Sequence, residues 1–179
     1  MTKKQDTGPE FSRVIEVETL GDALAVFPIE ANATERAALA RRFGLPAIAS
    51  LKAKLRLQRV HGGTALRLTG TIEADVTQSC VVSLEPVENR VEEEFTILYA
   101  ADSPTKAIET DTDSEESWSE PLPHGGLDIG EVVAQHLSLA LDPYPRRADA
   151  AVEGRWAEGE APVKDSPFAA LAKLKSRPT

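Results

Sequence analysis

Residues 51–76 read LKAKLRLQRVHGGTALRLTGTIEADV, and the fold turns on this stretch. Leu51, Ala53, Leu55 and Leu57 alternate with Lys52, Lys54, Arg56 and Gln58, the period of two that marks a half-buried strand. After His61-Gly62-Gly63-Thr64 the alternation resumes: Leu66, Leu68, Gly70, Ile72, Ala74 and Val76 alternate with Arg67, Thr69, Thr71, Glu73, Asp75 and Thr77. A two-residue turn at Gly62-Gly63 is expected, because primed hairpin turns need positive φ. That turn sets Leu57 opposite Leu68, Ala53 opposite Ile72 and Lys52 opposite Glu73. All apolar side chains then share one face, with an opposite-charge pair on the other. Turn chemistry and hydrophobic pattern arrive at this register independently.

Outward from the hairpin, Val87–Tyr99 forms a third strand with Val87, Val91, Phe95, Ile97 and Tyr99 on one face. Asn89 and Glu93 interrupt that face, which points to a bulge or a solvent-exposed end. Upstream, Phe11–Val17 and Leu24–Pro28 are strand-like around a Gly21-Asp22 turn signal. A helix follows over Thr34–Phe43, with Thr34 as cap, Arg41 and Arg42 at its negative end and Gly44 as a left-handed stop. A second helix starts at Asp128, with Glu131 completing a capping box and a broad apolar stripe of Ile129, Val132, Val133, Leu137, Ala140 and Leu141. The expected fold class is α+β: an antiparallel meander, as an open sheet or partial barrel, covered by the 128–141 helix. Ala101–Gly126 holds seven acids, one lysine and three prolines and reads as a mobile acidic loop. The expected organisation is one α+β domain over 1–145, with this insertion at about 101–126. Residues 146–179 then make a linker and a short C-terminal helix, opened by Ser166-Pro167 and lined by Phe168, Leu171 and Leu174.

Composition narrows the function. The chain has 179 residues, net charge −9, 41% apolar and only 5% aromatic residues, so its core must be mainly aliphatic. One cysteine excludes a disulfide framework and a four-cysteine zinc site. No apolar run follows Lys3-Lys4, and none reaches about 18 residues, so neither a secretory signal nor a membrane span is expected. The charge is segregated along the chain. Eight bases and no acid lie between Arg36 and Arg67: Arg36, Arg41, Arg42, Lys52, Lys54, Arg56, Arg59 and Arg67. Sixteen acids against two bases lie between Glu73 and Glu131. Such asymmetry speaks to partners rather than to fold.

Each chemical candidate has a plainer counterpart. The eight bases are candidate RNA contacts, with Lys52, Lys54 and Arg56 forming a ladder at about 6.6–7 Å spacing. A solvated sheet face is the alternative, and scarce aromatics argue against base stacking. The acidic segment either holds a basic partner, repels RNA from one side of the molecule, or only solubilises. Cys80 reads as a small buried residue at a strand end rather than a reactive thiol. His61, His124 and His136 have no metal-ligand spacing, so neither metal nor cofactor is expected. In Glu92-Glu93-Glu94 the outer two point one way and Glu93 the other, with no histidine nearby, so an exposed strand face is expected. No phosphate loop or nucleophile elbow is present, which argues against an enzyme.

Three stretches carry a family resemblance. Cys80-Val-Val-Ser83-Leu84-Glu85-Pro86-Val87 is similar to the Cys-x-x-Cys-Leu-x-Pro-Val segment of the YceD family, the large ribosomal RNA subunit accumulation proteins. The helix at Asp128-Ile129, ending in Leu137–Leu141 and Asp142-Pro143, resembles that family's central helix. Asp165-Ser166-Pro167-Phe168-Ala-Ala-Leu171 is similar to its closing motif. Ser83 stands where the family has its second cysteine, so a metal role does not carry over. The resemblance implies a bacterial, cytoplasmic factor of ribosome biogenesis; the missing catalytic motifs make a non-enzymatic one the expectation, with an RNA-processing enzyme as the remote alternative. It leaves open whether the direct contact is ribosomal RNA or a pre-ribosomal particle, a basic ribosomal protein, or a processing enzyme.

Overall fold

The computed structural model describes residues 8–21, 23–100, 119–122 and 126–150. Five strands form one open sheet in the order β2 (Ala25–Glu30), β3 (Ala47–Val60), β4 (Ala65–Ser79), β5 (Pro86–Ala100) and β6 (Ser119–Pro121). β2 to β5 run antiparallel, and β6 adds to β5 in parallel. A separate two-stranded piece joins β1 (Val14–Ile15) to β7 (Leu127–Asp128). Among the described residues the α-helices are α1 (Ala33–Phe43) and α2 (Ile129–Ala140). The architecture is α+β, with the sheet open rather than closed into a barrel.

The β3–β4 register is the expected one: Leu57 faces Leu68, Ala53 faces Ile72 and Lys52 faces Glu73. The turn differs. Four residues, His61–Thr64, separate the last pair, Val60 and Ala65, and His61, Gly62 and Gly63 have positive φ of 53°, 68° and 93°. The register survives because the longer loop is centred on the same two glycines. β4–β5 pairing runs unbroken from Ala65–Ala100 to Ser79–Pro86, so β5 holds no bulge. Asn89 keeps its inward position because its amide donates to Gln78 Oε1 at 2.8 Å, and Gln78 in turn donates to Asp142 O at 2.8 Å. The one irregularity lies in β3 between Ile48 and Ser50.

Both helices roof the same sheet face. Leu51, Leu55 and Leu57 of β3, Leu68 and Ile72 of β4, Leu39 of α1, and Ile129, Val133 and Leu137 of α2 are fully buried in one core. Burying each such side chain contributes about 1.5–3 kcal/mol. Phe95 lies against Gly70, where a Cβ would collide with the ring, and the ring stacks on His136 at 3.7 Å and 8°.

The cap of α1 is Asn32, not Thr34. Its side chain accepts from Thr34 and Glu35 N–H, while Glu35 accepts from Asn32 N–H. Asn is the stronger cap, and its partner stands at the capping-box position. Gly44 closes the helix at φ 67°, with Leu45 N–H donating to Ala40 O at 2.8 Å. At α2, Asp128 caps as expected, but the Glu131 carboxylate turns to Arg42.

The Asp128 carboxylate also holds the N-terminal segment. Its Oδ1 accepts from Arg13 N–H at 2.7 Å, Gly130 N–H at 3.1 Å and Glu131 N–H at 3.2 Å, and its Oδ2 accepts from Ser12 at 2.6 Å. Arg13 continues the link with a bidentate pair to Glu35 of α1. The far end of the acidic segment, Ser119–Pro121, is strand β6 rather than loop. Residues 101–118 and the C-terminal helix expected over 167–175 lie outside the described residues.

Candidate functional site

Among the described residues no helix lies on the sheet face away from α1 and α2, and strand alternation decides what that face presents. On β3 it shows Lys52, Lys54, Arg56 and Gln58, all exposed. On β4 it shows Arg67, Thr69, Thr71, Glu73 and Asp75, and on β5 Arg90, Glu92, Glu94 and Thr96. The cross-strand rows are Lys52–Glu73–Glu92, Lys54–Thr71–Glu94 and Arg56–Thr69–Thr96. A basic column on β3 and an acidic column on β5 therefore share one face. They are two strand spacings apart, about 10 Å, roughly one Debye length at 0.1 M salt.

Local pairs tie down much of the acidic half and one end of the basic column. Arg90 donates to Glu92 at 2.7 Å and to Glu73 at 3.4 Å, which raises its pKa. Ser50 donates to Asp75 at 2.6 Å. Lys52 lies 4.0 Å from Glu30 on β2.

The eight candidate bases do not converge. Lys52, Lys54, Arg56 and Arg67 share the face away from the helices. Arg36, Arg41 and Arg42 belong to α1, on the roofed side. Arg36 donates to Ala31 O at 2.6 Å. Arg42 makes a bidentate pair with Glu131 at 2.7 and 2.8 Å and reaches Glu10 at 3.1 Å. These hydrogen bonds, Glu131 foremost, raise the Arg42 pKa, and Arg42 lowers that of Glu131. Arg59 points inward and donates to Leu20 O at 3.1 Å and Val17 O at 2.8 Å. A run of bases in sequence is thus divided by strand parity and by the helix's position.

The motif residues from Cys80 to Val87 gather at one end of the sheet. Cys80 is fully buried and opens the β4–β5 turn, its Sγ accepting from Val82 and Ser83 N–H, each at 3.4 Å. The Ser83 hydroxyl, then the N–H groups of Ser83 and Arg147, bring its pKa down to about 6 against the opposing effect of burial. Sequence supplied no basic neighbour for this thiol; the lowering comes chiefly from turn hydrogen bonds. Leu84 has φ 63° and is 78% exposed. Pro86 begins β5, where its missing N–H costs no ladder bond, and Val87 is half-buried. Asp128 sits apart at the start of α2. Pro167, Phe168 and Leu171 lie outside the described residues.

Glu92 and Glu94 point outward and Glu93 inward, as expected, but Glu93 is not remote from histidine. Burial lowers the His136 pKa, while the charges of Glu93 and Glu120 oppose that shift. Among the described residues no group of three or more His, Cys, Asp or Glu could hold a metal ion. No helix among them is long and apolar enough to cross a membrane. Sequence reasoning missed the Arg42–Glu131 pair and the Gln78–Asn89 bridge. The second had a signal, since both amides fall at inward positions of adjoining strands.

These features define a small α+β protein whose open sheet carries both described helices on one face and a surface divided in charge on the other. Residues 68–175 match the family model described as Large ribosomal RNA subunit accumulation protein YceD. The chain belongs to the YceD family. The match begins inside β4, earlier than the Cys80 motif, and takes in the closing motif. No curated protein and no solved structure matched the chain. Family membership implies a role in the accumulation of large-subunit ribosomal RNA.

Proposed function

We propose that the protein is a non-enzymatic factor of large-subunit assembly that works in the cytoplasm by binding, with the sheet face away from α1 and α2 as its contact surface. The observation that supports this reading is the exposed column Lys52, Lys54 and Arg56, which no described element covers, with Arg67 one strand away. Its rise of about 6.6–7 Å between side chains suits successive phosphates. The column approaches ribosomal RNA, while Glu73, Glu92 and Glu94 repel the backbone and turn it to one side. Three phosphate contacts give a salt slope of about −2.7, which is weak, sequence-independent binding that a second contact must reinforce.

The test is charge reversal, K52E/K54E/R56E, which touches only exposed side chains and should leave the fold intact. Ribosomal RNA binding should weaken, with a shallower salt slope, and large-subunit RNA should fall in cells carrying the variant. Unchanged binding and unchanged RNA levels would remove the RNA contact.

A second reading, a chaperone for a basic ribosomal protein without RNA contact, draws on the seven acids of Ala101–Gly126. It requires co-purification that survives nuclease treatment and is lost when the acids of 101–126 are neutralised.

A further inference from the structure

A groove of about 460 Å³ opens on the roofed side, at the end where α1, β4 and α2 meet. Phe43 and Leu45 form one wall, and Leu139, Leu141, Pro143 and Pro145 form the other. Leu139 is 80% exposed, and nearby Tyr144 is 74% exposed. Val81 N–H donates to Pro145 O at 2.9 Å, which brings the β4–β5 turn, with exposed Val81 and Leu84, beside this groove. Monomeric proteins seldom leave apolar side chains clustered in this way unless something covers them.

We propose that the groove seats the chain's own C-terminal segment, with Phe168, Leu171 and Leu174 as its apolar anchors. Three observations select this occupant. First, the described chain ends at Ala150, only five residues beyond Pro145 in the groove wall. Eighteen further residues lead to Phe168, a contour of about 60 Å at 3.3–3.6 Å each, so reach is no obstacle. A tether of this order supplies an effective concentration in the mM range, enough to seat a segment of modest affinity.

Second, Phe168, Leu171 and Leu174 follow one another at i, i+3 and i+6, the spacing of a helix laid in a groove. A stripe of that length is too short to hold a helix by itself in water. Third, the charges agree. Asp142 lies in the groove wall, and the segment carries Lys173, Lys175 and Arg177. The family match takes in the segment and the β4 and α2 side of the groove, from Gln78 and Ser79 to residue 175, while the Phe43 and Leu45 wall precedes it.

The experiment compares amide NMR spectra and hydrogen exchange of the full chain with its F168D/L171D variant. Disturbance should be confined to the groove residues Leu45, Ser79, Leu139 and Leu141, with their amide protection falling about tenfold. L139D attacks the groove side at an exposed position that the fold does not need, and should release the segment equally. A synthetic peptide of residues 165–177, added to F168D/L171D, should restore the groove resonances. The protein should remain monomeric at every concentration. Groove resonances indifferent to F168D/L171D would overturn the proposal. So would a dimer that dissociates on that substitution, since the occupant would then be a second copy.

Discussion

Asp128 offers the sharpest quantitative test, because its two oxygens have separate partners. Oδ1 serves the N–H groups of Arg13, Gly130 and Glu131, and Oδ2 serves Ser12. Replacement by Ala removes an N-cap, which costs about 1 kcal/mol within a range of 0.5–2. It also strands the Arg13 N–H at the β1–α2 junction, where a hydrogen bond to a charged group contributes about 1.5–3 kcal/mol. Together D128A should lose about 2–4 kcal/mol, a fall in Tm of about 4–16 °C for a chain of this size. D128N keeps an oxygen for the three N–H donors and is an equally good cap, so its loss should stay below about 1.5 kcal/mol. S12A should cost about 1 kcal/mol alone and almost nothing when added to D128A, since its acceptor is already gone. Urea unfolding followed by far-UV circular dichroism measures all four. The account fails if D128N is as damaging as D128A, or if D128A lies within about 0.5 kcal/mol of the parent.

Other outcomes follow from the same packing. G70A places a methyl into the Phe95 ring and should destabilise by about 1–3 kcal/mol, with partial recovery in G70A/F95L. L84G relieves a left-handed leucine that packs against little, and should stabilise by about 0.5–1 kcal/mol in thermal melts. The His136 pKa is lowered on folding, so the unfolded chain takes up the proton first as pH falls. Stability should therefore decline below about 6.5 and level off once the folded-state value is passed, and H136F should flatten that part of the profile. The Cys80 pKa is also lowered, to about 6, so its contribution to stability is complete above the unfolded thiol value and lost as pH falls toward 6. Thiolate absorbance should titrate near 6 in the folded protein, and S83A should move that midpoint upward.

The hairpin could be read from sequence because two independent signals agreed on it: strict alternation over Leu51–Leu57 and Leu66–Val76, and the paired glycines between them. The pair Gly62-Gly63 fixed the centre of the turn but not its length, since His61 also accepts a positive φ. Asn32 and Thr34 are both capping residues, and only the Glu35 partner separates them. Asn89 and Glu93 looked like breaks because a single strand does not show what lies across from it. Gln78 supplies the answer for Asn89 from the neighbouring strand. The charge pattern was legible only as a list. Which bases share a surface depends on strand parity, which the sequence gives, and on which side α1 packs, which it does not. Arg42 and Glu131 are 89 residues apart, and nothing local marks them as partners.

The junction of Ser12 and Arg13 with Asp128 spans 115 and 116 residues of chain. Translation proceeds at about 5–20 residues per second, so roughly 6–23 s separate the two ends of this contact as the polypeptide leaves the ribosome. Through that interval α1 can cap itself and β3 can pair with β4, but β1 has no strand to join and Arg13 N–H has no acceptor. The nascent chain must therefore wait for its own late-arriving α2 before its leading end is fastened, which makes the order of synthesis the reverse of the order of closure.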